Sequence, residues 1–170
     1  MAAIKSSNTK PEMNLRHALW DQGFRYRVND KRLPGSPDIV LPKYRTVIFV
    51  NGCFWHGHKG CSNYSVPKTN TQFWVSKDRR NQERDQEVWR KLEAKDWNVI
   101  VVWECDLEKK YFQETLSHVV SKIKSNGDLH RRRQEERKTE RIRRRGERKK
   151  EKAAIEAHLL ELSRYKGSPR

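Results

Sequence analysis

The stretch Phe49–Cys61, FVNGCFWHGHKGC, sets two cysteines, two histidines and an adjacent aromatic pair among glycines. Cys53, His58 and Cys61 have spacings short enough for one loop to wrap a metal ion. The only other cysteine, Cys105, lies just past an apolar run, Val99–Trp103. It reaches the loop if that run is a strand beside Val47–Val50. The four side chains then form a closed Cys3His set, which is the ligation of a structural zinc with no open position for water. His56 stands two residues from His58 and would compete for the same ion, which leaves one imidazole for another task. Near a phosphodiester, a histidine takes a proton from water at neutral pH.

Two carboxylates suit the same chemistry. Asp38 follows Pro37 at the start of a central strand, where a carboxylate can hold Mg2+ against a phosphate. On the residues alone a strand-entry turn is the stronger reading. Glu12 is explained by helix capping and becomes catalytic only if the fold sets it beside Asp38. Phe54 and Trp55 lie in a glycine-flanked loop that buries large side chains poorly. Amid basic charge they suit stacking on bases or wedging between base pairs, with Trp74 joining them. The alternative is that they pack over the metal loop.

These residues need a scaffold. Thr9 is a candidate N-cap with Glu12 as its capping-box partner, opening a helix whose apolar face is Leu15, Ala18 and Leu19 and which Gly23 ends. Residues 1–8 read as disordered. Phe24–Val28 alternates apolar and basic, as a half-buried strand does. A turn at Leu33–Asp38 leads into Ile39–Leu41, and Pro42-Lys43 turns the chain into Tyr44–Val50, giving a hairpin. A helix is expected over about Thr71–Ala94, with Phe73, Trp74, Val88, Trp89 and Leu92 for packing. Trp97–Trp103 is apolar at every position but Asn98, which implies a sheet covered on both faces. A helix over about Leu107–Lys124 closes the domain, with Ser125–Asp128 as its stop.

The chain of 170 residues is long enough for one domain with a real core, yet only 34% is hydrophobic and 35% is charged. A compact domain over 1–127 and a basic extension over 128–170 account for both. Residues 131–152 hold about 13 Lys and Arg against about 5 Glu, so the extension reads as a solvated helix or a disordered arm. Ile155, Leu159 and Leu162 add a short apolar stripe for docking on the body or on a partner. Net charge is +16 with a pI near 10.0, which favours a polyanion, most simply nucleic acid. Three cysteines beside histidines fit metal binding in a reducing compartment better than disulfides. Absence of a membrane-length apolar run or a signal peptide's apolar core makes a cytoplasmic protein the expectation.

Several segments, in order, resemble the very-short-patch repair (Vsr) DNA mismatch endonucleases. They are Asn8–Glu12, Phe24–Arg27, Leu33–Asp38, Val47–Cys61, Thr71–Trp74, Asn81–Asp85 and Val102–Cys105. The resemblance covers about residues 4–107 and is most specific around GCFWHGHKGC. It implies an α/β, restriction-endonuclease-like fold, a mixed sheet flanked by helices with a structural zinc. It implies a monomer that nicks double-stranded DNA 5′ to the thymine of a T:G mismatch left by deamination of 5-methylcytosine. The partners it implies are a cytosine-5 DNA methyltransferase and mismatch-repair proteins. By position, Asp38 resembles the Mg2+ carboxylate, with a backbone carbonyl at Val50 beside the metal. His56 resembles the general base, Asp85 the acid that orients it, and Glu12 a further active-site carboxylate. Phe54, Trp55 and Trp74 resemble intercalating aromatics, and Cys53, His58, Cys61 and Cys105 the zinc ligands.

The sequence departs from relatives in three places. The strand ending Ile48-Phe49-Val50-Asn51 lacks the acidic-x-Lys triplet of generic nucleases of this fold, which matches the Vsr variant. Asn51 stands where some relatives carry a histidine linked to the leaving group, so the resemblance names no general acid. The chain begins inside the family's N-terminal pattern, and the basic segment from Arg131 is expected to stand in for a DNA-gripping arm. Two rival expectations are a Vsr-like nuclease for another lesion or site, and a non-cleaving binder of DNA mismatches. Intact Asp38, His56 and Asp85 argue against the binder, because polar groups without chemistry cost stability.

Overall fold

The computed structural model describes the backbone of residues 7–165 and side chains through residue 163. Residues 1–6, most of the segment expected to be disordered, lie outside the described residues. Helix α1 spans Lys10–Asp21, and the Thr9 hydroxyl accepts the Glu12 amide at 3.5 Å as its cap. Glu12 answers by accepting from the Thr9 hydroxyl and the Asn8 amide, both at 2.9 Å. Strands β1 (Ile39–Leu41) and β2 (Thr46–Asn51) form the expected hairpin around a single 3-10 turn, Pro42–Tyr44, with Arg45 left-handed at φ 49°. Helix α2, Thr71–Glu93, then crosses over to β3, Asn98–Trp103.

The sheet order is β1-β2-β3, antiparallel then parallel. Parallel pairing needs a crossover, and α2 supplies it. Asn51 ends opposite Trp103, so the segments leaving β2 and β3 emerge side by side. Both faces are covered, as the apolar β3 run implies. On one face Ile39, Leu41, Ile48, Ile100 and Val102 pack with Leu15 and Leu19 of α1 and with Leu116, Val119 and Ile123. On the other, Val40, Val47, Leu92 and Trp97 form a smaller cluster against α2. No helix among the described residues is long and apolar enough to cross a membrane.

Four expectations need correction. Phe24–Val28 is not a strand: only Arg27 pairs, through two 2.8 Å bonds with Val40, while Phe24 turns into the core. Tyr44 lies in the 3-10 turn and Trp97 precedes β3, so both strands start later than their apolar runs. Phe73 is exposed rather than packed. Helix α3 begins at Phe112, after a 3-10 turn over Glu104–Leu107, and continues to Tyr165 without stopping at Ser125–Asp128.

The residues read as a stop are used for packing. Gly127 is buried, and a Cβ there would lie 2.6 Å from the Tyr44 ring. The Asn126 amide donates to the Thr46 hydroxyl at 3.3 Å. The chain divides into two compact units, Met1–Asp128 and Leu129–Arg170. The second is the distal length of α3, and in it Ile155, Leu159 and Leu162 are exposed.

The two helical glycines predict opposite responses to alanine. Gly127→Ala forces the Tyr44 ring off Phe24, a clash of about 1–3 kcal/mol that outweighs about 1 kcal/mol of helix propensity. Gly146 meets nothing within 4 Å, so Gly146→Ala gains propensity alone. Denaturant melts should show Gly127→Ala destabilised, and circular dichroism should show Gly146→Ala more helical.

Candidate active site and metal centre

The loop after β2 folds back on itself through Gly57 (φ 62°) and Gly60 (φ 77°), conformations that side chains resist. This brings Cys53, His58 and Cys61 together, and the 3-10 turn after β3 adds Cys105. Their four ligand atoms lie within 4.8 Å of one another. His58 Nδ1 is 3.4 Å from Cys53 Sγ and 3.5 Å from Cys105 Sγ. A tetrahedral ion with Zn–S of about 2.3 Å and Zn–N of about 2.0 Å sets such edges at roughly 3.5 Å. The cluster can therefore hold zinc.

Its surroundings suit that charge. The His58 ring stacks on Trp103 with centroids 4.1 Å apart, and the Asn63 amide donates to Cys61 Sγ at 3.4 Å. The Cys53 amide donates to Glu104 Oε1 at 2.9 Å. Burial pushes the Cys53 thiol up, and burial with Cys53 and Cys61 beside it pushes Cys105 up further. Three thiolates crowd here only with a cation among them.

A cleft of about 690 Å³ gathers Glu12 from α1, Asp38, Val50 and Asn51 from the hairpin, His56 from the loop and Asp85 from α2. The β1–β2 ladder stops at Ile39 opposite Ile48. Beyond it the Val50 amide donates to Asp38 Oδ2 at 2.8 Å, so the carboxylate takes the place of a strand partner. Burial pushes the Asp38 carboxyl up to about 6; the Val50 amide opposes this and the Glu12 charge adds to it.

The condition for Glu12 is met in the sense that it shares the cleft with Asp38. Its own oxygens are occupied, however, by Thr9, Asn8 and Arg16. His56 Nδ1 lies 2.5 Å from Asp85 Oδ2. A carboxylate only accepts, so Nδ1 carries a proton, and in the neutral imidazole this leaves the lone pair on Nε2. Asn51 is 4% exposed, and its Nδ2 has no hydrogen-bond partner among the described residues.

Phe54, Trp55 and Trp74 form one cluster, with Phe54 centroids 5.2 Å from Trp55 and 5.3 Å from Trp74. The rings pack on one another, yet Trp55 stays 37% and Phe73 47% exposed. Lys77 Nζ lies 4.9 Å from the Trp74 centroid and 5.1 Å from that of Trp55.

Comparison with known proteins gives the family. The family model for DNA mismatch endonuclease Vsr matches residues 1–63. The type II nicking enzyme V.NmeAIP of Neisseria meningitidis serogroup A is 51% identical over 125 residues, 73% of this chain and 89% of that protein. The type II nicking enzyme V.XorIIP of Xanthomonas oryzae pv. oryzae is 47% identical over 63% of this chain and 78% of that protein. The DNA mismatch endonuclease Vsr of Escherichia coli K12 is 46% identical over 63% and 68%.

The chain belongs to the Vsr DNA mismatch endonuclease family. It is a DNA endonuclease, and its α/β core is the restriction-endonuclease-like fold of that family.

In this Vsr-family chain four residues beyond the candidate site residues position the site. Arg16 is buried, pairs with Glu12 at 3.1 Å and donates to the Asp38 carbonyl at 2.9 Å, fixing α1 to the entry of β1. Asn81 donates to the Trp55 carbonyl at 2.9 Å and Gln82 to the Gly57 carbonyl at 3.2 Å, so α2 holds the loop by its backbone. Asp78 adds a 2.7 Å bond from the Tyr64 hydroxyl. The signal is present in the sequence: Asp78, Asn81, Gln82 and Asp85 form a polar stripe at helical spacing where an apolar one is expected. For Arg16 it is a Glu-to-Arg pair four apart, next to Leu15 and Leu19.

The metal cluster predicts one zinc per chain by elemental analysis, lost in Cys105→Ser. Because the thiols are pushed up, binding must release protons, so chelators should strip the ion faster as pH falls, with loss of protection of residues 52–70 from proteolysis.

The Asp38 carboxyl is raised in the fold, so its protonated form is the stable one; stability is present below pH 4 and is lost as pH rises through about 6. In magnesium-free buffer Asp38→Asn should therefore be more stable than wild type at pH 8, by up to about 3 kcal/mol, and equal to it near pH 4.

Proposed function

We propose that the chain is a Mg2+-dependent, zinc-stabilised endonuclease that nicks DNA 5′ to the thymine of a T:G mismatch. The observation that carries this is the His56–Asp85 pair opening on the cleft that holds Asp38. The Asp38 carboxylate and the Val50 carbonyl hold the Mg2+; both are hard oxygen donors, and a cation there offsets the burial that raises Asp38. When bound, the ion neutralises phosphate charge and polarises water. His56 Nε2 takes a proton from the water attacking phosphorus, and the phosphorus–oxygen bond to the leaving sugar breaks. Asp85 keeps the imidazole in the accepting tautomer and stabilises it once charged. Glu12 and Arg16 hold Asp38 in register. Cys53, His58, Cys61 and Cys105 bind the zinc and keep the loop folded.

The aromatic cluster supplies mismatch selection on this reading. A T:G pair stacks less well than a Watson–Crick pair, so wedging Phe54, Trp55 and Trp74 beside it costs less. Residues 1–127 form the nuclease domain and 128–170 a basic extension. The enzyme works in the cytoplasm beside a cytosine-5 methyltransferase, whose product yields T:G pairs on deamination.

The test is a labelled duplex with one T:G mismatch in a methyltransferase-type context, with Mg2+ and a matched C:G control. Wild type should nick 5′ to the mismatched thymine, and Asp38→Ala should lose at least about 10²-fold in rate, the scale of one lost charge-stabilising group. Trp55→Ala should narrow the gap between mismatched and matched duplexes. Equal cutting of both duplexes by wild type would remove the mismatch reading.

A further inference from the structure

The distal length of α3 carries a charge pattern that the nuclease site does not use. At about 100° per residue, Lys138, Arg141, Arg145, Arg148 and Lys149 fall within an arc of about 100°. Glu136, Glu140, Glu147 and Glu151 fall within about 60° on the other side of the helix. On that side Arg143 and Arg144 reach Glu140 at 2.9 and 2.7 Å, and Arg143 reaches Glu147 at 3.4 Å, while Lys152 pairs with Glu156 at 3.9 Å beyond the C-terminal end of the stripe. The five stripe residues are exposed and make no ion pair among the described residues.

A merely solvated helix is favoured by acids placed three or four residues from each base. Arg141, Arg145 and Lys149 have none: those positions hold other bases, Ile142, Gly146 or Ala153. Like charges four apart cost about 0.2–0.5 kcal/mol per pair, so the stripe destabilises the free helix. A polyanion along that face removes the repulsion and releases its own counterions.

We propose that this stripe binds the phosphates of duplex DNA as a second contact surface, separate from the nuclease site. The occupant follows from charge complementarity and from the chain's membership of a DNA endonuclease family, on which the inference rests. From Lys138 to Lys149 the stripe runs about 17 Å, enough for several phosphates. The contact proposed is with phosphates, which carry no sequence information.

The experiment compares the full chain with two charge-matched variants. One carries Lys138→Gln, Arg141→Gln, Arg145→Gln, Arg148→Gln and Lys149→Gln. The other carries Arg132→Gln, Arg133→Gln, Arg143→Gln, Arg144→Gln and Lys150→Gln, off the stripe. Gln has nearly the helix propensity of Lys and Arg, and circular dichroism checks that helicity is kept. Binding to a fully matched duplex is measured against salt. The stripe variant should lose about 4 from the slope of log K against log salt, at roughly 0.9 per phosphate. The off-stripe variant should lose less than 1. In nicking assays the stripe variant should raise KM and leave kcat unchanged. An unchanged slope in the stripe variant, or equal losses in both, overturns the proposal. Failure of wild type to nick would instead overturn the nuclease reading, because the matched-duplex slopes stand without cleavage.

Discussion

Four ligand atoms from two separate segments converge within 4.8 Å, and the working parts of the chain hang on that convergence. The stretch from Gly52 to Asn70 has no helix or strand of its own. Loops of that length inside a compact domain are costly to order unless something closes them. Cys53, His58 and Cys61 close it locally, and Cys105 pins it to the end of β3. His56 lies between two of these ligands, and Phe54-Trp55 directly follows the first. His56 and Phe54-Trp55 therefore have little freedom once the cluster is closed. The parallel register that ends β2 opposite Trp103 is what puts Cys105 within reach.

The sheet makes the second half of the site by stopping early. Strand β1 has only three residues, and its ladder with β2 ends at Ile39. A longer ladder would offer the Val50 amide a backbone carbonyl and leave Asp38 without its donor. Stopping there lets a side chain take a main-chain bond at the edge of the cleft, at the cost of burying a carboxyl pushed up to about 6. Arg16 does not cancel that charge. Its guanidinium is committed to Glu12, Asn8 and the Asp38 carbonyl. The protein thus holds a buried carboxylate that its own cations leave undercompensated, which is the electrostatic condition for a divalent ion.

What the sequence makes legible here is what is local in it. The metal loop, the Thr9 cap, the hairpin and the two-sided cover of β3 all follow from spacings of a few residues or from apolar runs. Asn126 and Gly127 misled because their types fit a helix stop, while their actual work is contact with Thr46 and Tyr44, some eighty residues away. Phe24–Val28 has strand alternation but finds a partner only at Val40, since β1 is too short to offer another. Arg16, Asn81 and Gln82 show in the sequence only as a Glu-to-Arg pair and a polar helical stripe; the carbonyls they bind lie in distant segments and leave no mark in residue type. Asp85 could be placed through family resemblance alone; its pairing with His56 spans the loop and the first half of α2.

A wedge must push against something that does not yield. Unstacking a base step costs a few kcal/mol. The bonds from Asn81 and Gln82 to the loop backbone contribute about 1 kcal/mol each, so together they fall short of that load. A structural zinc contributes on the order of 10 kcal/mol to folding its site. On the proposed function, a zinc-loaded cluster would be the strongest single restraint behind the wedge. Asn81 and Gln82 then serve to set its angle on α2, next to Trp74, rather than to carry the force. On the proposed function the chemistry and the recognition would share one anchor: an ion held by Cys53, His58, Cys61 and Cys105 would order the single loop that carries both His56 and Trp55.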